Sequence, residues 1–286
     1  MQTKKILMAP LAKRFIGGET LEEALQTLHH LRQQGFFTSL DYLGEGIKNE
    51  AEANQATEEY LQNLKLLKEE RLDTNISVKL TQLGLDIDET FAQKNLERVV
   101  ALAGEVGGFV RVDMEDSSHT AQTLRMVTGV HKHHTEVGVV LQAMLRRAPE
   151  DVMEMLKEKI SLRLCKGAYK EPPSIAFPDK REVDHQYVTL MKRLLTSGLY
   201  HGIATHDEKI IERTKDFIFH EKLRKDSFEF QMLFGIRNKF ARSLVEEGWR
   251  VRVYVPYGKF WLPYMMRRLR ERKENIWFVA KNIFNR

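Results

Sequence analysis

Residues 75–114 read "NISVKLTQLGLDIDETFAQKNLERVVALAGEVGGFVRVDM" and contain the unit that decides the fold. The β-branched runs at 75–80 and 108–114 predict two strands. In the segment between them, over 88–107, apolar residues recur every three or four positions, which is the period of an amphipathic helix. This order predicts two parallel strands joined by a helical crossover.

The same unit recurs along most of the chain. The predicted strands are 36–43, 75–80, 108–114, 137–144, 160–167, 201–206, 228–233 and 250–256. Strand and helix in regular alternation predict a parallel (β/α)8 barrel of the TIM type. The alternative, an open doubly wound sheet, is less favoured because no G-x-G-x-x-G follows the first strand.

The chain has 286 residues, of which 42% are hydrophobic, and no stretch resembles a linker. We therefore predict a single domain over 1–286, with 1–35 as an N-terminal helical segment. The net charge of +5 favours anionic partners without indicating a nucleic-acid coat. The single cysteine, Cys165, excludes an intrachain disulfide and agrees with a cytoplasmic location.

The N-terminal segment 1–18 has lysines followed by an apolar patch, but Pro10 interrupts it and Lys13 and Arg14 follow. This is not the pattern of a secretion signal. A basic amphipathic turn that touches a membrane surface is an alternative to ordinary packing on the domain. No apolar run reaches the roughly 18 residues that a membrane span needs.

A polar side chain stands near the C-terminal end of almost every predicted strand. These residues are Asp41, Lys79, Asp113, Gln142, Arg163, Lys166, Thr205, His206, Gln231 and Tyr254. Barrel enzymes build their active sites at this face, so the ring is the candidate site.

Several motifs in this ring allow more than one interpretation. Arg163 and Lys166, before Gly167, suit a diphosphate or a flavin, or else a salt bridge inside the barrel. Lys79 suits a Schiff base or a substrate carboxylate. Asp113 shares strand parity with Arg111 and is predicted to point inward, but further metal ligands are missing from its surroundings.

Two charged stretches lie outside the ring. The run "HKHH" at 131–134 lacks a third ligand nearby and is predicted to be solvated surface. The segment "YMMRRLRERKEN" at 264–275 carries Arg267, Arg268 and further cations. It predicts either an anion site at the rim or a solvated helix face.

Eight segments, taken in order, resemble one known family. They are "SVKLTQLGLD" (77–86), "VDMED" (112–116), "VVLQAML" (139–145), "LRLCKGAYKE" (162–171), "IATHD" (203–207), "FEFQMLFGIR" (228–237), "VRVYVPYG" (251–258) and "YMMRRLRER" (264–272). Together they are similar to the strand-end motifs of the flavin-dependent proline dehydrogenases, in the short bacterial form with a single activity. The resemblance runs from about residue 36 to about residue 278.

The resemblance implies a distorted (β/α)8 barrel that holds FAD at its C-terminal face, with a last helix over the mouth. It implies catalytic roles for Asp113 and Arg163. The residues implied to surround L-proline are Asp113, Lys79, Arg267, Arg268, Tyr254, Tyr264 and Leu233, with the two arginines on the carboxylate. The residues implied to contact the flavin are Met114, Gln142, Arg163, Lys166, Gly167, Ala168, Thr205 and His206.

The implied reaction is hydride transfer from C5 of proline to flavin N5, which gives Δ1-pyrroline-5-carboxylate. Electrons then pass to a membrane quinone, which would bring the protein to the inner face of the membrane as a peripheral visitor. The chain lacks the DNA-binding and aldehyde dehydrogenase regions of larger bifunctional relatives, so a separate pyrroline-5-carboxylate dehydrogenase is expected. Two positions depart from the family pattern: Cys165 replaces an aliphatic residue, and Lys170 stands where the bifunctional relatives have tryptophan.

Two other functions use the same residues differently. A Schiff-base barrel would need Lys79 or Lys166 as a nucleophile with a lowered pKa. A membrane-surface or nucleic-acid module would use the arginine-rich segment and the basic N-terminus. Neither uses the whole ring, so we favour the flavoenzyme and expect no nucleic-acid partner and no metal.

Overall fold

The computed structural model describes residues 14–44 and 47–271, with side chains as far as Met266. Its parallel strands close into a barrel in chain order, and the first strand pairs with the last. The strands are β1 (Phe37–Tyr42), β2 (Asn75–Val78), β3 (Phe109–Val112), β4 (Val137–Gln142), β5 (Ser161–Cys165), β6 (His201–Ala204), β7 (Phe228–Leu233) and β8 (Val251–Tyr257). The predicted barrel is confirmed.

Helices surround the barrel and alternate with the strands. They are α1 (Leu21–Gln33), α2 (Glu50–Glu69), α3 (Glu89–Val106), α4 (Thr120–His131), α5 (Ala148–Lys157), α6 (Lys180–Leu195), α7 (Glu208–His220), α8 (Asn238–Glu246) and α9 (Trp261–Glu271). None of these described helices is long and apolar enough to cross a bilayer.

Several strands end earlier than the sequence pattern predicts. β2 ends at Val78 and β3 at Val112, so Lys79 and Asp113 each lie one residue beyond the end of a strand. β5 likewise ends at Cys165, two residues before Gly167. The pattern overestimates these lengths because it registers the inward side chains, whereas backbone pairing stops where the chain turns into the loop. The polar residues therefore stand at the rim, where loops meet strands.

Local capping explains where the helices start and stop. The Asp88 carboxylate accepts a hydrogen bond from the backbone N–H of Phe91 at 2.7 Å, and α3 begins there. The same helix ends at Gly107, whose φ of 69° lies in the left-handed region. Asp207 is the N-cap of α7, and its carboxylate accepts from the backbone N–H of Lys209 at 3.1 Å.

The two faces of each strand have different chemistry. In β7 the side chains of Phe228, Phe230 and Met232 belong to the apolar layer between barrel and helices. Glu229 and Gln231 alternate with them, and Gln231 reaches Arg163 of β5 across the barrel. Because successive side chains point to opposite faces of a strand, the apolar core lies outside the barrel and its interior is polar.

Helix α9 lies over the mouth of the barrel. Trp261, Tyr264 and Met265 are buried in a second apolar cluster with Leu43 and Ile236, which follow β1 and β7. The described part of α9 is thus anchored at the C-terminal ends of the strands, as expected for a helix that covers the mouth.

Two stretches singled out in the sequence fall outside the described part of the chain. They are residues 1–13 of the N-terminal segment and residues 272–275 of the arginine-rich segment. Arg267 and Arg268 are placed within α9, but their side chains lie outside the described residues.

Candidate active site

Asp113 is the centre of the charged groups at the barrel mouth. Its Oδ1 accepts from Nη1 of Arg163 at 2.8 Å, and its Oδ2 accepts from the hydroxyl of Tyr254 at 2.8 Å. The ammonium of Lys79 is 3.7 Å from the same Oδ2. These partners come from β5, β8 and the end of β2, so the barrel gathers distant parts of the chain on one carboxylate.

Lys79 is held more tightly by Asp41 than by Asp113. Its Nζ donates to Oδ1 of Asp41 at 2.7 Å, and the Asp41 side chain is fully buried. Burial alone would lower the pKa of Lys79, but the charges of Asp41 and Asp113 outweigh it and raise that pKa above its ordinary value. A Schiff-base nucleophile needs a neutral amine, so the structure argues against that role for Lys79.

Arg163 is oriented by three partners inside the barrel. Besides Asp113, its Nη2 donates to Oγ of Ser77 at 3.1 Å and its Nε donates to Oε1 of Gln231. Its guanidinium carbon lies 5.3 Å from the ring centroid of Tyr254. A guanidinium has five N–H donors, and these contacts leave two for a ligand.

Tyr254 provides a fixed hydroxyl beside these charges. Burial and the negative charges of Asp113 and Asp41 raise the pKa of Tyr254 well above its ordinary value. The hydroxyl therefore stays protonated and acts as a donor to Asp113. The same reasoning excludes Tyr254 as a base at neutral pH.

Lys166 and Gly167 occupy the rim after β5. The Lys166 ammonium pairs with Asp184 of α6 at 2.5 Å and with Asp207 of α7 at 2.8 Å. Gly167 has φ of 109°, and a Cβ there would lie 2.4 Å from Sδ of Met144. The missing side chain keeps this stretch of backbone accessible, whereas Lys166 already has two carboxylate partners.

Gln142 carries an unusual buried amide. Its Nε2 donates to the backbone oxygen of Glu115 at 3.0 Å and to that of Met114 at 3.4 Å. Its Oε1 is buried and has no hydrogen-bond partner among the described residues. A buried acceptor without a donor is costly, so this oxygen is suited to receive an N–H or O–H from a ligand.

The residues after β6 are tied to β7. His206 Nε2 accepts from the backbone N–H of Leu233 at 2.9 Å, and Thr205 Oγ1 accepts from the N–H of Asp207 at 3.1 Å. Leu233 in turn packs against the apolar cluster that holds α9. Ala168 lies in the loop after β5 and is exposed. All predicted ring residues thus lie at the C-terminal end of the barrel.

The histidine-rich stretch lies away from this site. Helix α4 ends at His131, and in the turn beyond it Lys132 and His133 are exposed. No group of three or more His, Cys, Asp or Glu side chains suited to a metal ion is found within residues 14–44 and 47–271.

Known proteins are similar to this chain in sequence and architecture. The family model described as "Proline dehydrogenase" matches residues 24–281. The chain belongs to the proline dehydrogenase family. It is therefore an oxidoreductase by membership, and the fold around its polar ring is that of the family.

Individual relatives support the assignment. "Proline dehydrogenase 1" from Bacillus subtilis strain 168 is 43% identical over 275 residues, which cover 96% of this chain and 91% of the relative. "Proline dehydrogenase" from Deinococcus radiodurans is 38% identical over 278 residues, covering 96% and 90%.

A crystal structure of proline utilization A from Bdellovibrio bacteriovorus, inactivated by N-propargylglycine, superposes with a TM-score of 0.85. Its sequence is 27% identical, and the match covers 91% of this chain. The chain spans about a third of the length of that larger protein, since the match covers 32% of it.

Sequence reasoning missed part of the site. Asp41 and Gln231 were recognised as strand-end polar residues without a role, and Ser77 and Glu229 were not recognised. Each of Ser77 and Glu229 lies two residues from a recognised inward side chain, so strand parity would have identified both.

Proposed function

We propose that this protein oxidises L-proline to Δ1-pyrroline-5-carboxylate with FAD as the hydride acceptor, the first step of proline catabolism to glutamate. The family and the mouth of the barrel support this proposal. The observation that carries it is the cluster of Asp113, Lys79, Arg163 and Tyr254, whose contacts fix cations and a hydroxyl beside one carboxylate.

Two observations indicate that the site suits a flavin. The buried Oε1 of Gln142 lacks a protein donor among the described residues, and a flavin ring carries an N–H group that could supply one. The backbone at Gly167 is open because no side chain stands there. Together with Gln142 and Gly167, the residues proposed to hold FAD are Met114, Arg163, Lys166, Ala168, Thr205 and His206.

The bound FAD would supply the hydride acceptor at N5 and would return the electrons to a quinone. Arg163 then has an electrostatic role, because a cation fixed in a buried site stabilises the negative charge that develops on hydride acceptance. Its three protein partners hold it in place before the reaction starts. Preorganisation of this kind avoids the cost of reorienting dipoles during the step.

The described ion pairs around Asp113 provide no net positive charge for an anionic substrate. With all groups ionised, Lys79 and Arg163 balance Asp41 and Asp113. A proline carboxylate therefore needs further cations, and α9 carries Arg267 and Arg268 over the mouth. We propose that these two arginines bind the carboxylate by paired hydrogen bonds, with Tyr254, Tyr264 and Leu233 around the ring.

The relative from Bdellovibrio bacteriovorus supports the substrate class. It is inactivated by N-propargylglycine, an amino acid with a secondary amine and an α-carboxylate, as in proline. The product would require a second enzyme that oxidises the semialdehyde formed when Δ1-pyrroline-5-carboxylate opens in water. We propose contact with a membrane surface only because the quinone that accepts the electrons would lie in a membrane.

The visible absorption spectrum tests this function directly. We expect the purified protein, after addition of FAD, to show flavin bands that bleach on addition of L-proline without oxygen or quinone. D-proline is the matched control because it presents the same groups with the carboxylate displaced. A protein that takes up no FAD, or flavin bands that L-proline leaves unchanged, would contradict the proposal.

The carboxylate assignment makes a separate prediction. Arg268→Met should raise the KM for L-proline by about tenfold or more, because a charge-assisted hydrogen bond contributes roughly 1.5–3 kcal/mol. FAD binding should remain unchanged. Arg242→Met, at a charged position of α8, is the control. Steady-state kinetics with an artificial acceptor measures both variants, and an unchanged KM in Arg268→Met would remove the assignment.

A further inference from the structure

A chain of buried polar groups runs from Arg163 toward the opposite end of the barrel. Gln231 of β7 accepts from Nε of Arg163 and donates through its own Nε2 to Oε1 of Glu229 at 2.6 Å. Glu229 is 3% exposed and Gln231 is 5% exposed. The catalytic scheme above uses Arg163 but assigns no role to Gln231 or Glu229.

Glu229 is kept ionised by its other partners. Nε of Arg252 donates to its Oε1 at 2.7 Å, and the hydroxyl of Tyr200 donates to its Oε2 at 3.0 Å. Burial opposes ionisation, but the charge and hydrogen bond of Arg252 prevail and lower the pKa of Glu229. An ionised carboxylate can only accept hydrogen bonds.

This property fixes the direction of the Gln231 amide. Because Glu229 offers only acceptors, Gln231 must turn its NH2 group toward Glu229 and its oxygen toward Arg163. The reversed amide would place two acceptors together at Glu229 and two donors together at Arg163. Both contacts would then be lost.

The neighbouring strand provides the room that the Gln231 amide occupies. Gly202 of β6 is paired in register with Glu229, and a Cβ at Gly202 would lie 2.4 Å from Nε2 of Gln231. The amide therefore packs directly on the backbone of β6. A side chain at Gly202 would displace it.

We infer that Glu229 is a positioning residue for Arg163: it orients the amide of Gln231, whose oxygen then holds Arg163 Nε in the direction that its electrostatic role requires. This inference rests on the proposed function, since Arg163 matters through the flavin. Under this inference, Gln231 and Glu229 influence the reduction equilibrium of the flavin through Arg163, without contacting substrate or flavin.

The test measures the two-electron reduction equilibrium of bound FAD against a reference dye. Gln231→Met keeps the length of the side chain and removes both hydrogen bonds. We expect the equilibrium constant for reduction to fall about tenfold, which is about 30 mV for a two-electron couple. Glu229→Gln should lower it less, since an amide at 229 permits both orientations of Gln231.

Further variants separate positioning from packing. The double variant Glu229→Gln with Gln231→Met should match Gln231→Met alone, because Glu229 acts only through Gln231. Gly202→Ala should lower the constant without removing any polar group. Tyr200→Phe is the matched control. It removes a hydrogen bond to the Glu229 carboxylate that is not part of the path from Glu229 through Gln231 to Arg163, so it should leave the equilibrium constant for FAD reduction unchanged.

The outcomes distinguish this inference from the proposed function. A wild-type protein that binds no FAD, or whose FAD is not reduced by L-proline, contradicts both. The positioning role alone is overturned by a different result. In that case L-proline reduces the FAD of the wild-type protein, and Gln231→Met lowers the melting temperature but leaves the equilibrium constant for FAD reduction unchanged. If Glu229→Gln fails to fold, Gln231→Met and Gly202→Ala still decide the matter.

Discussion

Replacing Arg163 with methionine should slow the reduction of bound flavin by L-proline by about 10²–10³-fold, the usual effect of removing one preorganised donor from a site where charge develops. Arg163 is 6% exposed, so little water would replace its charge. The measurement is anaerobic stopped-flow absorbance at saturating proline. Saturation separates this loss from any change in proline affinity.

Arg163→Lys distinguishes charge from geometry. Lysine keeps the positive charge but cannot contact Asp113, Ser77 and Gln231 with one planar fork. We therefore expect it to recover only part of the rate. Arg98→Met, which removes an exposed arginine paired with Glu58, is the control for loss of charge alone. Wild-type reduction rates in Arg163→Met, with FAD bound, would show that this cation has no part in the step.

The fold was predictable because its signal is local and repeated. Each strand between two amphipathic helices can be identified from ten or twenty residues, and a parallel sheet of such units has few ways to close. The ring at the mouth was also predictable, because Asp113 and Arg163 each lie near the C-terminal end of a predicted strand. Strand parity alone places both side chains inside the barrel.

The pairing inside the barrel was not predictable in the same way. Arg163 and Gln231 are 68 positions apart, and their contact depends on the stagger between β5 and β7. No pattern within "FEFQML" indicates which inward side chain of another strand will contact Gln231. The arrangement of Glu229 beneath Gln231 follows from the closed barrel and not from any single segment.

The ion-pair partners of Lys166 were also not predictable from the sequence. Its place after β5 suggested a cation for a diphosphate, but Asp184 and Asp207 reach it from α6 and α7. Both carboxylates lie near helix N-termini, where negative charge is common for reasons unrelated to ligands. The sequence places such acids near the start of a helix, while their convergence on Lys166 depends on how the helices pack.

Removal of Asp113 should have the second large effect, on stability as well as on the reaction. The Arg163 side chain is 7% exposed, and Asp113→Ala takes away its counter-ion at 2.8 Å. Breaking a buried pair by deleting one partner costs about 3–5 kcal/mol, because the remaining charge stays buried. Thermal unfolding of the FAD-free protein should show a melting temperature lower by roughly 5–15 °C.

The loss of stability in Asp113→Ala should come mainly from the unpaired charge of Arg163, because Lys79 keeps its ion pair with Asp41 at 2.7 Å. This distribution gives a sharp comparison. The double variant Asp113→Ala with Arg163→Met removes both charges of the pair, so it should unfold at a higher temperature than Asp113→Ala alone. Glu58→Ala breaks an ion pair whose side chains are 45% and 62% exposed, and it should cost less than about 1 kcal/mol. A double variant that is less stable than Asp113→Ala would mean that Arg163 stabilises the barrel by packing, and that its charge is tolerated without a counter-ion.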